Sequence, residues 1–432
     1  MMTDDAGTVA EPVDESRAGL RTVRAGFIPL VDCAILAVAA EKGFAQAQGI
    51  DLQLHKETSW ANVRDRLTLK HFDCAHLLAG IPIAANLELG NARARMIAPF
   101  SLSLNGNAIT VSSRLWQRMA EAGHLDGGEG PQAMGAALAS VVAADRAAGR
   151  PVLTFGMVYP FSAHNYELRY WLAASGIHPD RDVRLVVIPP PYMPRYMEDG
   201  HVDGFCVGEP WNSLAVAAGL GRIIVTKAAL WRLSPEKVLG ARAQWAVEEP
   251  ALLAALIRAL KYAARWADDP ANRPELAGLL ARPAYVGAPE ALIAGILAGR
   301  IALAAGEAPR VVDNYIVFNA AAATFPWRSH ALWFYSQMVR WGQIAPSPGH
   351  EAAAADTYRP DLYRRALAGL DVTLPGANAK VEGTMAGATP AGSSSGRLYL
   401  GPDGFFDGRV FDPDRVDAYI AGFDIATPLA RP

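Results

Sequence analysis

The chain has 432 residues, of which 51% are hydrophobic and 19% charged, and its formal net charge is −3. This composition excludes wholesale disorder, and the length exceeds what one hydrophobic core usually supports, so at least two lobes are expected. No basic tract is present to form a nucleic-acid face, so direct nucleic-acid binding is not expected.

The opening segment MMTDDAGTVAEPVDESRAGLRTVRAGF is acidic and polar and lacks the apolar core of a secretory signal. No lipobox-like cysteine follows it, so residues 1–21 read as a flexible N-terminus and a cytoplasmic location is expected. No uninterrupted apolar span of membrane length occurs further on, and no membrane partner is expected.

From residue 22 short apolar runs alternate with helical stretches. TVRAGFIP reads as a strand, LVDCAILAVAAEKGFAQAQG as a helix closed by Gly49, and IDLQLHK as a strand. Ser59 is the expected N-cap of SWANVRDRLTLKHF, which is followed by the strand-like FDCAHLL and a helix from about Ile81. RARMIAPF and NAITVSS are further strands, and the Gly-rich GHLDGGEGPQ then interrupts the pattern. A second set comes next: VLTFGM, a helix that begins near His164, VRLVVIP, a helix around Met193–Asp199, GFCVGEP and GRIIVT. Helices dominate from Glu248 to about Ala368. The Gly/Ser/Ala-rich stretch 376–396 reads as a flexible linker, and the apolar tail 397–432 as a segment that docks on the body.

This alternation predicts an α/β protein with largely parallel sheets, arranged as a two-lobed clamshell with appended C-terminal helices. The first lobe is assigned to 22–112 and 227–375, and the second to 113–226. In such open sheets ligands bind at the carboxyl ends of strands, between lobes.

Polar residues at those strand ends are the candidates. In HFDCAH, strand alternation puts His71 and Asp73 on one face and Cys74 and His76 on the other, which assembles no metal set and favours packing and surface roles. Gly208 and Glu209 lie at a strand end before Pro210, where a ligand approach and a simple strand-to-helix turn are both open. His164 stands near the first turn of a helix, where free N–H groups favour an anion and disfavour an extra proton on the imidazole. Locally, a packed core histidine is the plainer reading. Trp60 offers an indole donor or an aromatic wedge, Asn107 a ligand donor or a turn cap, and Lys237 by default an exposed ammonium. Cys33, Cys74 and Cys206 are far apart and read as buried, reduced thiols. No Ser-His-Asp order, P-loop, GxGxxG, HExxH or CxxC motif occurs, so an enzyme, a metal and a cofactor are not expected.

Taken together and in order, GFIPLVDCAILAVAAEKGF, SWANVRDRL, DCAHLL, NGNAITVS, HNYELRYWLAASGIHPDRDVRLVVIPPPYM, DGFCVGEPWN, SPEKVLGARAQW and WADDPANRPEL resemble the nitrate- and bicarbonate-binding proteins of ABC transporters. The resemblance runs from about Val23 to Ala281, with an echo in FFDGRVFDP. It implies a periplasmic-binding-protein-like fold of type II closing on a small oxyanion. It also implies a nitrate or nitrite site formed by Trp60, Asn107, His164 and Lys237, with Gly208 and Glu209 lining the cleft. Asn107 replaces the family's glutamine and is one methylene shorter. Bicarbonate-binding members differ at several of these positions and use calcium, so the His/Lys pair favours nitrate or nitrite. Without an export signal the chain resembles a cytoplasmic branch of the family, the NasS-like nitrate/nitrite sensors. That implies a partner, an ANTAR-type RNA-binding antiterminator (NasT-like), released on ligand binding to regulate nitrate assimilation. The alternatives are a transport receptor for the same anions and, more remotely, a small-molecule enzyme on the same fold.

Overall fold

A computed structural model describes residues 19–90, 94–123 and 128–427. Most of the expected flexible N-terminus, part of the Gly-rich stretch and the last five residues of the tail lie outside the described residues. In chain order the strands are β1 (Arg21–Phe27), β2 (Ile50–Lys56), β3 (Cys74–Leu78), β4 (Met96–Asn105), β5 (Asn107–Ser112), β6 (Thr154–Met157), β7 (Arg184–Val187), β8 (Gly204–Gly208), β9 (Gly221–Thr226) and β10 (Pro235–Arg242). Shorter strands complete the set: β11 (Arg300–Ile301), β12 (Arg310–Val311), β13 (Ile316–Val317), β14 (Thr389–Ala391) and β15 (Leu398–Leu400).

Two sheets carry the architecture, one ordered β13-β4-β10-β3-β1-β2 and the other β7-β6-β8-β5-β9. The α/β two-lobed, periplasmic-binding-protein-like fold expected from the sequence is the fold of the chain. Each sheet has a parallel part and one central strand running against its neighbours: β10 is antiparallel to β3 and β4, and β5 to β8 and β9. Those two strands are the ones the chain enters after crossing from the other lobe. Because β5 pairs with β8 and β9, the second lobe begins at Asn107 and not after residue 112. The assigned boundary divided the strand from its own sheet, since the single residue between β4 and β5, Gly106, makes no turn long enough to signal a domain break.

Apolar helices cover the sheets. Leu36 of the helix Ala34–Glu41 and Leu256 and Leu260 of the helix Pro250–Asp268 are wholly buried in the core of the first lobe, each such burial contributing about 1.5–3 kcal/mol. The first helix is shorter than expected. It stops at Glu41, Gly43 takes φ 76°, and only a 3-10 turn, Gln46–Gln48, precedes Gly49 at φ 75°. Ser59 does cap the next helix, Trp60–Thr68, accepting from Asn62 N at 3.2 Å. The three cysteines are buried and free. Among the described residues no helix is long and apolar enough to cross a membrane.

The stretch 376–396 departs from the flexible linker its composition suggested. Glu382 is fully buried, accepts from Ser329 Oγ at 2.7 Å and pairs with Lys380, which reaches Asp403 at 2.9 Å. β14 pairs with β15, and Trp231 stacks on Phe405 with ring centroids 4.5 Å apart. A buried ion cluster and an aromatic stack thus outweigh the entropy of a Gly/Ser-rich chain. The tail then ties both lobes. Arg340 of the helix Arg328–Arg340 lies 3.6 Å from the Phe423 ring centroid. Tyr170 and Gln132 of the second lobe donate to Asp407 (2.9 Å) and to Phe406 O (2.5 Å), and Thr427 Oγ1 donates to Asp180 (2.6 Å).

Candidate ligand-binding site

The two lobes meet where their strands end. One crossover is Asn105-Gly106-Asn107, with Asn105 and Gly106 at φ 61° and 87°. The return crossover is latched to it: Asn105 N donates to Ser234 O at 2.9 Å and Ser234 N to Asn105 Oδ1 at 3.0 Å. Across the cleft, Val31 N donates to Glu209 O at 2.8 Å. Gly80 faces Phe161 O so closely that a Cβ there would lie 2.5 Å from that carbonyl oxygen. Only glycine permits this approach between lobes.

Beneath these contacts Asp32, His76, Asn107, His164, Glu167, Lys227, Glu236 and Lys237 form one polar cluster, each at most 3% exposed. Lys237 Nζ lies 2.8 Å from Asp32 Oδ2 and 2.5 Å from Glu236 Oε1. Asp32 Oδ1 lies 3.0 Å from His76 Nε2. Glu236 Oε2 accepts from Asn107 Nδ2 at 2.7 Å and pairs with Lys227, whose ammonium also reaches Glu167 Oε1 at 2.9 Å. Glu167 Oε1 further accepts from Ser234 Oγ at 2.6 Å. Neighbours in a strand ordinarily face opposite ways. Register shifts on both sides of Lys237 in the pairing of β10 with β4 break that alternation and let Glu236 and Lys237 share the cluster.

Trp60 and His164 complete it. The Trp60 ring stands edge-on to His76 at 5.3 Å, and Lys237 Nζ lies 5.4 Å from its centroid. His164 occupies the first turn of the helix Ala163–Ala174, where Ser162 Oγ caps Asn165 N at 3.0 Å. Its Nδ1 is 3.4 Å from Glu236 Oε1, and a Cβ on Gly208 would lie 3.7 Å from its Nε2. Trp60 Nε1 and both ring nitrogens of His164 are buried without a hydrogen-bonding partner. Orphaned buried donors are rare, and a group of them beside an ammonium marks a place suited to an acceptor.

The charge states reflect burial and pairing. Burial pushes the Asp32 carboxyl up, but Lys237 and His76 outweigh it and hold it below the ordinary carboxylate range. Burial is likewise overcome at Glu236 by His164, Lys227 and Lys237, and its carboxyl is strongly lowered. Lys237, opposed by burial, is raised by Asp32 and Glu236. Burial drives His164 down to about 3, so its imidazole is neutral and can donate from one nitrogen. Burial lifts Glu167 to about 7, with Lys227 opposing and Glu236 adding to the rise.

The sequence candidates therefore divide. Trp60, His164 and Lys237 come together with Gly208 at one place, and Lys237 is wholly buried there, not exposed. Asn107 is adjacent, but its amide is committed to Glu236. Glu209 lines the cleft through its backbone only: its carboxylate turns away to Tyr315 OH and to Ser213, which donates from Oγ at 3.0 Å and from N at 3.1 Å. The charge of Lys237 does not wait for an anion, because Asp32 and Glu236 already match it. His76, read from its strand as a packing residue, belongs to the cluster, and Asp32, Glu167, Lys227 and Glu236 were not singled out at all. Glu167 lies one helical turn beyond His164 and so on the same face, a signal the spacing did contain.

The chain matches the NMT1-like family over residues 16–281. It is 32% identical over 435 residues to the nitrate/nitrite binding protein NrtA of Synechococcus elongatus, covering 97% of this chain and 91% of that one. To the nitrate import ATP-binding protein NrtC of Synechocystis it is 37% identical over 411 residues, covering 93% of this chain but 55% of that protein, so it spans about half of that longer relative. The crystal structure of the periplasmic nitrate-binding protein NrtA from Synechocystis superposes with a TM-score of 0.81 at 28% identity, covering 94% of this chain and 99% of that one.

Proposed function

The chain belongs to the NMT1-like family, and on that premise we propose that it is a binding protein, not an enzyme, that closes two lobes on nitrate or nitrite. The observation that carries the reading is the set of unpartnered buried donors on Trp60 and His164 beside the Lys237 ammonium. Nitrate is a planar monoanion and a weak acceptor, so it needs several convergent donors in a dry cleft. The names of the relatives, nitrate/nitrite binding proteins among them, support the same ligand class.

The role proposed for that binding is sensing in the cytoplasm. Anion binding changes the affinity for an ANTAR-type antiterminator, which controls read-through of nitrate-assimilation genes. Such coupling exists only if ligand distinguishes the partner-bound from the free form. Support for it comes from the sequence resemblance to NasS-like sensors. The second reading, a substrate-binding protein of a nitrate or related oxyanion transporter, is favoured by the import and binding proteins among its relatives.

Two measurements test these readings. Calorimetric titration with nitrate, nitrite, bicarbonate and chloride is expected to give heat with the first two, and no binding of either removes the anion reading. Co-purification with the antiterminator is expected to give a complex that nitrate or nitrite dissolves. A complex indifferent to both anions removes the sensor reading and leaves the transport one.

A further inference from the structure

We propose that the cleft takes its anion together with one proton, and that Glu167 carries this proton. The proposal rests on the anion-binding reading above and deepens it. Three carboxylates, Asp32, Glu167 and Glu236, share the sealed cluster with two ammonium groups, Lys227 and Lys237. Asp32 and Glu236 already match the two lysines, so an ionised Glu167 is one negative charge too many before any ligand arrives. A bound anion adds another, and no water-facing surface is there to screen it.

The ion-pair distances single out the same residue. Both oxygens of Asp32 lie within ion-pair distance of a base, and both oxygens of Glu236 face donors. Glu167 has donors on Oε1 only, from Lys227 and Ser234, while its Oε2 is buried without a partner. A bare buried carboxylate oxygen is costly, and protonation at Oε2 removes the charge it carries. The groups facing Glu167 leave no other acceptor for the proton. Lys227 approaches from the helix Lys227–Leu230 and faces Oε1, Glu236 from β10 is held ionised, and the Cys206 thiol on β8 is pushed far up by burial and stays neutral. His164, one turn back on the same helix, is held neutral by burial and remains a donor to the anion. Glu167, lifted by burial to about 7, is the group poised to change, and a second negative charge nearby raises it further.

The sign is fixed by linkage. When ligand raises the proton affinity of Glu167, protons enter on binding, and affinity falls as pH rises through the Glu167 range. A shift of about one unit gives a roughly fivefold loss of affinity between pH 7 and pH 9. The test is calorimetric titration of the full chain with nitrate at pH 8, in buffers of different ionisation enthalpy. The expected slope is about 0.4 proton taken up per anion. Binding with zero uptake and pH-independent affinity overturns the proton while leaving anion binding intact; no binding of nitrate or nitrite removes both. In Glu167→Gln, uptake is expected to vanish and affinity to become flat with pH, and unchanged uptake there overturns the assignment to Glu167. Infrared difference spectra of the native protein, with and without nitrate, check the same point without a variant. A carboxylate band should convert to a protonated carboxyl band, and its absence counts against the proposal.

Discussion

Replacing Lys237 by methionine removes one charge while keeping the length of the side chain, and the cluster sets the cost. Glu236 retains Lys227 and Asn107, so the burden falls on Asp32, left with only a neutral His76. Breaking a buried pair from one side costs about 3–5 kcal/mol. Asp32 can escape by protonating, which from an ordinary carboxyl costs about 4 kcal/mol at pH 7 and about 1.5 kcal/mol at pH 5. Since Asp32 is held low in the native protein, its contribution is present above the ordinary carboxyl range and is lost as pH falls through its lowered one. Lys237→Met should therefore destabilise by about 4 kcal/mol at pH 7 and much less at pH 5. The double variant Asp32→Asn/Lys237→Met should recover most of the loss. Urea unfolding followed by circular dichroism at the two pH values reads this directly. A loss equal at both pH values, or a double variant as unstable as the single, refutes the argument. The same arithmetic means that failure of a Lys237 variant to bind nitrate is informative only beside its unfolding curve.

Three further variants probe the other contributors. Trp60→Phe keeps the ring beside His76 and removes an unpartnered donor; loss of a hydrogen bond to a charged ligand predicts about tenfold weaker nitrate binding by calorimetry, with stability nearly unchanged. His164→Gln should weaken binding and also change acid stability. Because the folded imidazole is depressed to about 3, its contribution is present above the unfolded value near 6.5 and is lost as pH falls below it, by up to about 1.4 kcal/mol per unit. Urea midpoints between pH 7 and 4 should thus fall less steeply in the variant. Gly80→Val places atoms against Phe161 O and should prop the lobes apart. Small-angle scattering with saturating nitrate would show an expanded particle, and native-like compaction would refute the role given to Gly80.

Much of the fold was legible because each lobe announces itself locally, through apolar runs alternating with helices and through signals such as the Ser59 cap. What the sequence concealed is long-range. Asp32, His76 and Lys237 lie on separate segments, and only the strand order brings β10 beside β3. Glu236 next to Lys237 reads as one residue in and one out, and only the displaced pairing of β10 with β4 puts both inside. Family resemblance pointed to Trp60, His164 and Lys237, which the fold brings together, yet it did not point to the carboxylates that pair with the lysines. Asn107 was read as a ligand donor because it stands where the family has a glutamine and keeps the amide; the acceptor that amide meets, Glu236, is 129 residues away. The segment 376–396 misled for the opposite reason, since its composition reported flexibility while a single buried acid, Glu382, anchored it.

The strand order also dictates a timetable for synthesis. The sheet of the second lobe draws only on residues 107–226, whereas β10, from residues 235–242, sits between β4 and β3 in the first. The lobe that contains the N-terminal strand thus cannot join its two halves until the other lobe has left the ribosome. Domains generally mature as units in order of emergence, but here the topology inverts that order. The second lobe is complete first, and the buried polar cluster, which needs Glu236 and Lys237, assembles only as β10 slots into the waiting edge strands of a sheet begun some two hundred residues earlier.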